Sequence, residues 1–90
     1  MRTSERLLRE VQRLVRLGWY RFTTHALDGM AIYGVSSDEV LDVILSATDC
    51  TVQSDERCRV EGTLETEVEV AVVIAIDNEA IIVTVFEVGA

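Results

Sequence analysis

The stretch Val68-Glu69-Val70-Ala71-Val72-Val73-Ile74-Ala75-Ile76, then Asp77-Asn78-Glu79, then Ala80-Ile81-Ile82-Val83-Thr84-Val85-Phe86-Glu87-Val88, decides the fold. Its first run puts Val68, Val70, Val72, Ile74 and Ile76 on one side of an extended chain and Glu69, Ala71, Val73 and Ala75 on the other. That is the pattern of a central strand with helices packed on one side. Asp77-Asn78-Glu79 makes a turn, and the returning run carries Ile82, Thr84, Phe86 and Val88 on one face and Ile81, Val83, Val85 and Glu87 on the other. Both faces of this second strand are largely apolar. Soluble domains seldom leave a large apolar patch open, so the second face calls for a cover. The N-terminal helix is the expected one, and a dimer or partner interface is the alternative.

Reading backward, residues 49–53 and 57–61 flank the polar Ser54-Asp55-Glu56 and stop at Gly62, which reads as a β-hairpin. Ahead of it, Ser36 and Glu39 have capping-box spacing, and Val40, Leu41, Ile44 and Leu45 give the helix that follows a core face. A shorter helix is expected from His25, capped by Thr24, with Ala26, Leu27, Met30 and Ala31 on one side and Gly34 closing it. The strand-type residues 19–23 precede it. Residues 4–17 form an amphipathic helix with Leu7, Val11, Leu14 and Val15 on one stripe, Arg6, Arg9, Arg13 and Arg16 turned away, and Gly18 ending it. The expected fold is therefore α+β, a single domain over residues 1–90 with two to three N-terminal helices packed on an antiparallel sheet of about four strands.

Charge is unevenly distributed. Residues 1–21 hold six arginines against Glu5 and Glu10, a net of +4, whereas residues 22–90 hold Arg57 and Arg59 against fourteen acids, a net of −12; together they give the chain its −8. An acidic body repels phosphate backbones, so RNA is disfavoured as a partner unless the contact is local, through the first segment or the Arg57/Arg59 pair. The longest uninterrupted apolar run, residues 70–76, is far short of the roughly 20 residues of a membrane span, and no signal-type segment follows the charged start. No membrane partner is expected, and the expected location is cytoplasmic. Cys50 and Cys58 would face each other in the hairpin, but two thiols with no second histidine are too few for a metal site. They are read as structural or incidental thiols, kept reduced in a cytoplasmic chain, with no metal and no cofactor.

The chain has one histidine, His25, inside Tyr20-Arg21-Phe22-Thr23-Thr24-His25-Ala26-Leu27. This run, with Met30, Gly34-Val35-Ser36 and Glu39-Val40 behind it, resembles the opening motif of domain-of-unknown-function family 4258. Residues 82–87 look like that family's closing strand, and residues 57–62 like its middle strand. Such domains are similar to bacterial toxins of the RelE and MqsR kind, messenger-RNA-cleaving ribonucleases held inactive by an antitoxin.

The resemblance implies a metal-independent cleavage in which a base takes the ribose 2′-hydroxyl proton and arginines stabilise the phosphate charge. On this sequence His25 is the implied base or acid, with Tyr33 as a secondary proton donor. Arg57 and Arg59 are the charge stabilisers, and Arg21, Arg57 and Arg59 the RNA contacts. Where the family commonly carries basic residues, this chain has Gly29 and Tyr33. The expected function is accordingly a degenerate toxin-like protein acting as a protein-binding or regulatory module, with an antitoxin or a second copy as partner; the alternative is an active messenger-RNA endoribonuclease.

Overall fold

A computed structural model describes residues 3–89, which form three helices and a five-stranded sheet in the order α1 (Ser4–Arg16), β1 (Tyr20–Phe22), α2 (Thr24–Tyr33), α3 (Ser37–Ser46), β2 (Thr51–Val52), β3 (Cys58–Thr63), β4 (Glu69–Ile76) and β5 (Ala80–Glu87). The strand order is β1-β5-β4-β3-β2. Pairing is antiparallel from β2 through β5, and β1 adds to the far edge in parallel, Tyr20 opposite Ala80 and Phe22 opposite Ile82. The α+β class is as expected, with a fifth strand and a mixed sheet. No helix among the described residues is long and apolar enough to cross a membrane.

Local chemistry explains the helix ends. Thr3 caps α1 by accepting the Arg6 amide, and Gly18 in the left-handed region lets the Gly18 and Trp19 amides reach the Val15 and Leu14 carbonyls. Ser36 and Glu39 form the full reciprocal capping box of α3. The cap of α2 is Thr23 and not Thr24. Thr23 is fixed from both sides, because its amide donates to Ile82 O and its hydroxyl to Val83 O, leaving the oxygen to accept from the Ala26 amide.

One face of the sheet carries the core. Val70, Val72 and Ile74 of β4, Cys58 and Val60 of β3, and Ala80, Ile82 and Val85 of β5 are buried together with Leu7, Val11 and Leu14 of α1, Ala26 and Met30 of α2, and Val40, Val43 and Ile44 of α3. All three helices therefore lie on this face. Two glycines permit the close packing. A Cβ at Gly62 would sit 3.1 Å from Val43 Cγ1, and one at Gly29 would sit 2.2 Å from the Val85 carbonyl oxygen. Gly29 lets α2 rest against β5 beyond the point where β1 ends, closing an edge that would otherwise invite strand addition. Gln12 of α1 is a cross-helix cap, its side-chain amide donating to Ile44 O at 2.9 Å and Ala47 O at 3.0 Å at the end of α3.

The face pattern expected for β5 changes partway along. Thr84 lies opposite Val73 but Ile82 lies opposite Ile74, so Val83 is the extra residue of a β-bulge. Above the bulge Val85 joins the core, and Thr84 and Phe86 turn to the other face; strict alternation puts these residues on the wrong sides.

Candidate functional site

Among the described residues no helix lies on the other face of the sheet. By register it carries Arg59 and Glu61 of β3, Ala71, Val73 and Ala75 of β4, Ile81, Thr84 and Phe86 of β5, and Arg21 of β1. The N-terminal helix does not cover it, because the buried stripe of α1 belongs to the core on the opposite side. The cover is local. Arg59 reaches across β4 to place its guanidinium carbon 5.1 Å from the centroid of the Phe86 ring. Beneath that reach lie Ala71, opposite Phe86, and Val73, opposite Arg59. They are 0% and 6% exposed although no helix packs on them. Small side chains on the central strand give the arginine stem room to lie flat, and its methylenes supply the apolar cover.

The guanidinium is held at two points. Its central carbon lies over the Phe86 ring, and Nη2 pairs with Glu61 Oε2 at 3.2 Å. Its Nε is buried, with no hydrogen-bond partner among the described residues. The ring contact and the ion pair thus hold the group and leave its Nε unsatisfied.

The residues singled out by sequence do not assemble into one centre. Arg21 pairs with Glu79 at 3.1 Å and Arg57 with Asp55 at 2.9 Å, so each of the three nominated arginines faces a carboxylate of its own chain. His25 is exposed on the first turn of α2, with no side-chain hydrogen bond among the described residues, and Tyr33 is half-buried against the core at the far end of the same helix. His25 stands at the start of α2, which runs along the β5 edge of the sheet, whereas Arg59 lies on β3 with its side chain on the helix-free face. Within the motif, Thr23 ties the helix to β5. Sequence reasoning missed Phe86 as a site residue; an arginine and an aromatic on strands two apart, separated by Ala71, is the signal that would have found it.

Other features add little chemistry. A groove of about 580 Å³ between α3 and the β3–β4 turn is rimmed by Glu39, Asp42 and Glu65 and floored by Val43 and Leu64, a lining that repels anions and contains none of the nominated residues. Among the described residues no three His, Cys, Asp or Glu side chains come together as metal ligands.

Residues 22–87 match the model of a protein family described as a domain of unknown function, DUF4258. The chain belongs to that family. The matched segment runs from the last residue of β1 to the last of β5, so it takes in α2, α3 and the whole antiparallel part of the sheet and leaves out α1 with its arginines. No curated protein matches the chain.

Proposed function

We propose that this DUF4258 protein is a protein-binding or regulatory module, toxin-like in ancestry, that takes a partner polypeptide on the helix-free face of its sheet, in the manner of a toxin meeting its antitoxin. The observation that carries this reading is the Arg59–Phe86 lid with its flanking Arg21–Glu79 and Arg59–Glu61 pairs. Arginines already paired with carboxylates have less charge to offer a phosphate, whereas a flat, half-apolar face with a polar rim is what protein partners use. A net charge of −8 favours a basic partner chain over a second acidic copy. His25 and Arg59 stand on different elements, α2 and β3, and share no contact among the described residues, which also favours binding over the cleavage chemistry that the RelE and MqsR likeness would carry.

The test is co-expression with the product of the adjoining gene, with the mass of the purified species measured in solution. A defined complex that Thr84→Glu abolishes and His25→Ala leaves intact supports the reading. A monomer that binds neither that product nor itself overturns it, and so does growth arrest with RNA cleavage that is lost in His25→Ala. A homodimer disrupted by Thr84→Glu would keep the face and replace the occupant.

A further inference from the structure

Cys50 and Cys58 are the chain's two cysteines, and the fold brings them together. Val52 lies opposite Cys58 and Thr51 opposite Arg59 in the β2–β3 ladder, so continuing the register puts Cys50 opposite Val60. Cys50 and Cys58 are then diagonal neighbours on the same, core-facing side of the hairpin. The two side chains are close enough to act on one another across the hairpin. The two differ in access, Cys58 being fully buried and Cys50 half-buried. Cys50 has a second contact, since its thiol donates to the Ser4 carbonyl oxygen at 3.3 Å, on the first residue of α1.

We propose that Cys50 and Cys58 form a redox-active dithiol that a hydroperoxide oxidises to an intramolecular disulfide, and that this oxidation releases the start of α1. Cys50 reacts first, because it alone is reachable from solvent. Its sulfur attacks the peroxide oxygen, the O–O bond breaks, and Cys50 becomes a sulfenic acid as one water leaves when the reagent is hydrogen peroxide. The Cys58 sulfur then attacks the Cys50 sulfur. The S–S bond forms, the S–OH bond breaks, and the hydroxyl departs with the Cys58 proton as a second water. Two thiols and one peroxide give one disulfide and two waters. Bonding requires the sulfurs to close to about 2.05 Å, which a diagonal pair reaches by a shift of the strand that carries Cys50. Once oxidised, Cys50 has no S–H left to donate, so the tie from the hairpin to Ser4 is lost. Burial keeps Cys58 from the peroxide and holds its thiol protonated, so its proton is passed to the departing hydroxyl only as it attacks the Cys50 sulfur. This inference is independent of what binds the sheet face.

The experiment treats the whole protein with hydrogen peroxide and follows intact mass, thiol count after denaturation, and amide exchange. The expected product has lost two hydrogen atoms and both thiols together, is restored by dithiothreitol, and exchanges faster in the first turn of α1. Cys50→Ser should leave Cys58 reduced throughout the same treatment. A wild-type protein that gains oxygen atoms at Cys50 while Cys58 still titrates as a free thiol overturns the proposal. So does one that links two chains, or one that leaves both thiols unchanged.

Discussion

The guanidinium of Arg59 lies 5.1 Å from the ring centroid of Phe86, across the strand that separates them. Arg59→Ala removes both the stacking and the methylenes that shield Ala71 and Val73. A stacked pair of this kind contributes about 0.5–1 kcal/mol when exposed and more when desolvated, so a loss of about 1–2 kcal/mol is expected in urea unfolding. Arg59→Met, which restores the apolar stem without the charge, should recover part of it. Equal losses in both variants would show that the stem contributes nothing.

Gly29→Ala offers a test of sign. On helix propensity alone the substitution should stabilise α2 by about 1 kcal/mol. The new methyl would instead sit 2.2 Å from the Val85 carbonyl oxygen, which is backbone and cannot swing aside. Overpacking of this kind typically costs about 1–3 kcal/mol, so the variant should melt below wild type. A gain in melting temperature would mean that α2 does not rest on β5 as closely as described.

Within the histidine motif, Thr23 is expected to matter for stability and His25 is not. Thr23→Val removes the cap of α2 and the bond to Val83 O, and cap loss alone costs about 1 kcal/mol. His25→Ala, at an exposed position without a hydrogen bond, should stay within about 0.5 kcal/mol of wild type. Chemical denaturation of the two variants in parallel decides this.

Alkaline pH should weaken the fold through Cys58. Burial pushes this thiol well above its ordinary range, with the hydrogen bond to Cys50 and that neighbour's charge adding to the effect. The unfolded chain releases the proton near about pH 8.5 while the folded one keeps it, so the stability is intact below that pH and falls above it, by at most about 1.4 kcal/mol per pH unit. Cys58→Val should flatten the stability profile between roughly pH 8.5 and 9.5. Parallel profiles for the two proteins would refute the assignment.

Much of the fold could be read from residue order, where one element's own chemistry decides its shape. The Ser36–Glu39 box, the Gly18 stop and the apolar stripe of α1 are local facts, and each appears as expected. What escaped depends on a neighbour. The bulge at Val83 has no mark in residues 80–86, where every residue but Thr84 is apolar, because either alternation looks buried. Parallel pairing of the three-residue β1 depends on a strand nearly sixty positions later. The cover of the second sheet face was sought in a helix, the usual solution, whereas a single arginine stem over small residues suffices.

The candidate site was legible in its parts only. Arg59 was named for its charge, yet its position depends on Phe86, Ala71 and the register that aligns them. His25 drew attention by being unique, and uniqueness in composition says nothing about which face of a sheet a helix will occupy.

The bond from Thr23 to Val83 closes a loop of sixty residues, and among the described residues β1 pairs with β5 alone. Made from its N-terminus, the chain presents α1 and β1 long before the strand they need, while the β3–β4–β5 meander pairs only near neighbours. Order in time should therefore run against order in synthesis, with the meander forming the nucleus and β1 docking last. Substitutions in residues 20–22 are then expected to speed unfolding and leave the folding rate nearly unchanged. Until β1 and α2 arrive, the outer edge of β5 is the one through which two unfinished chains would join.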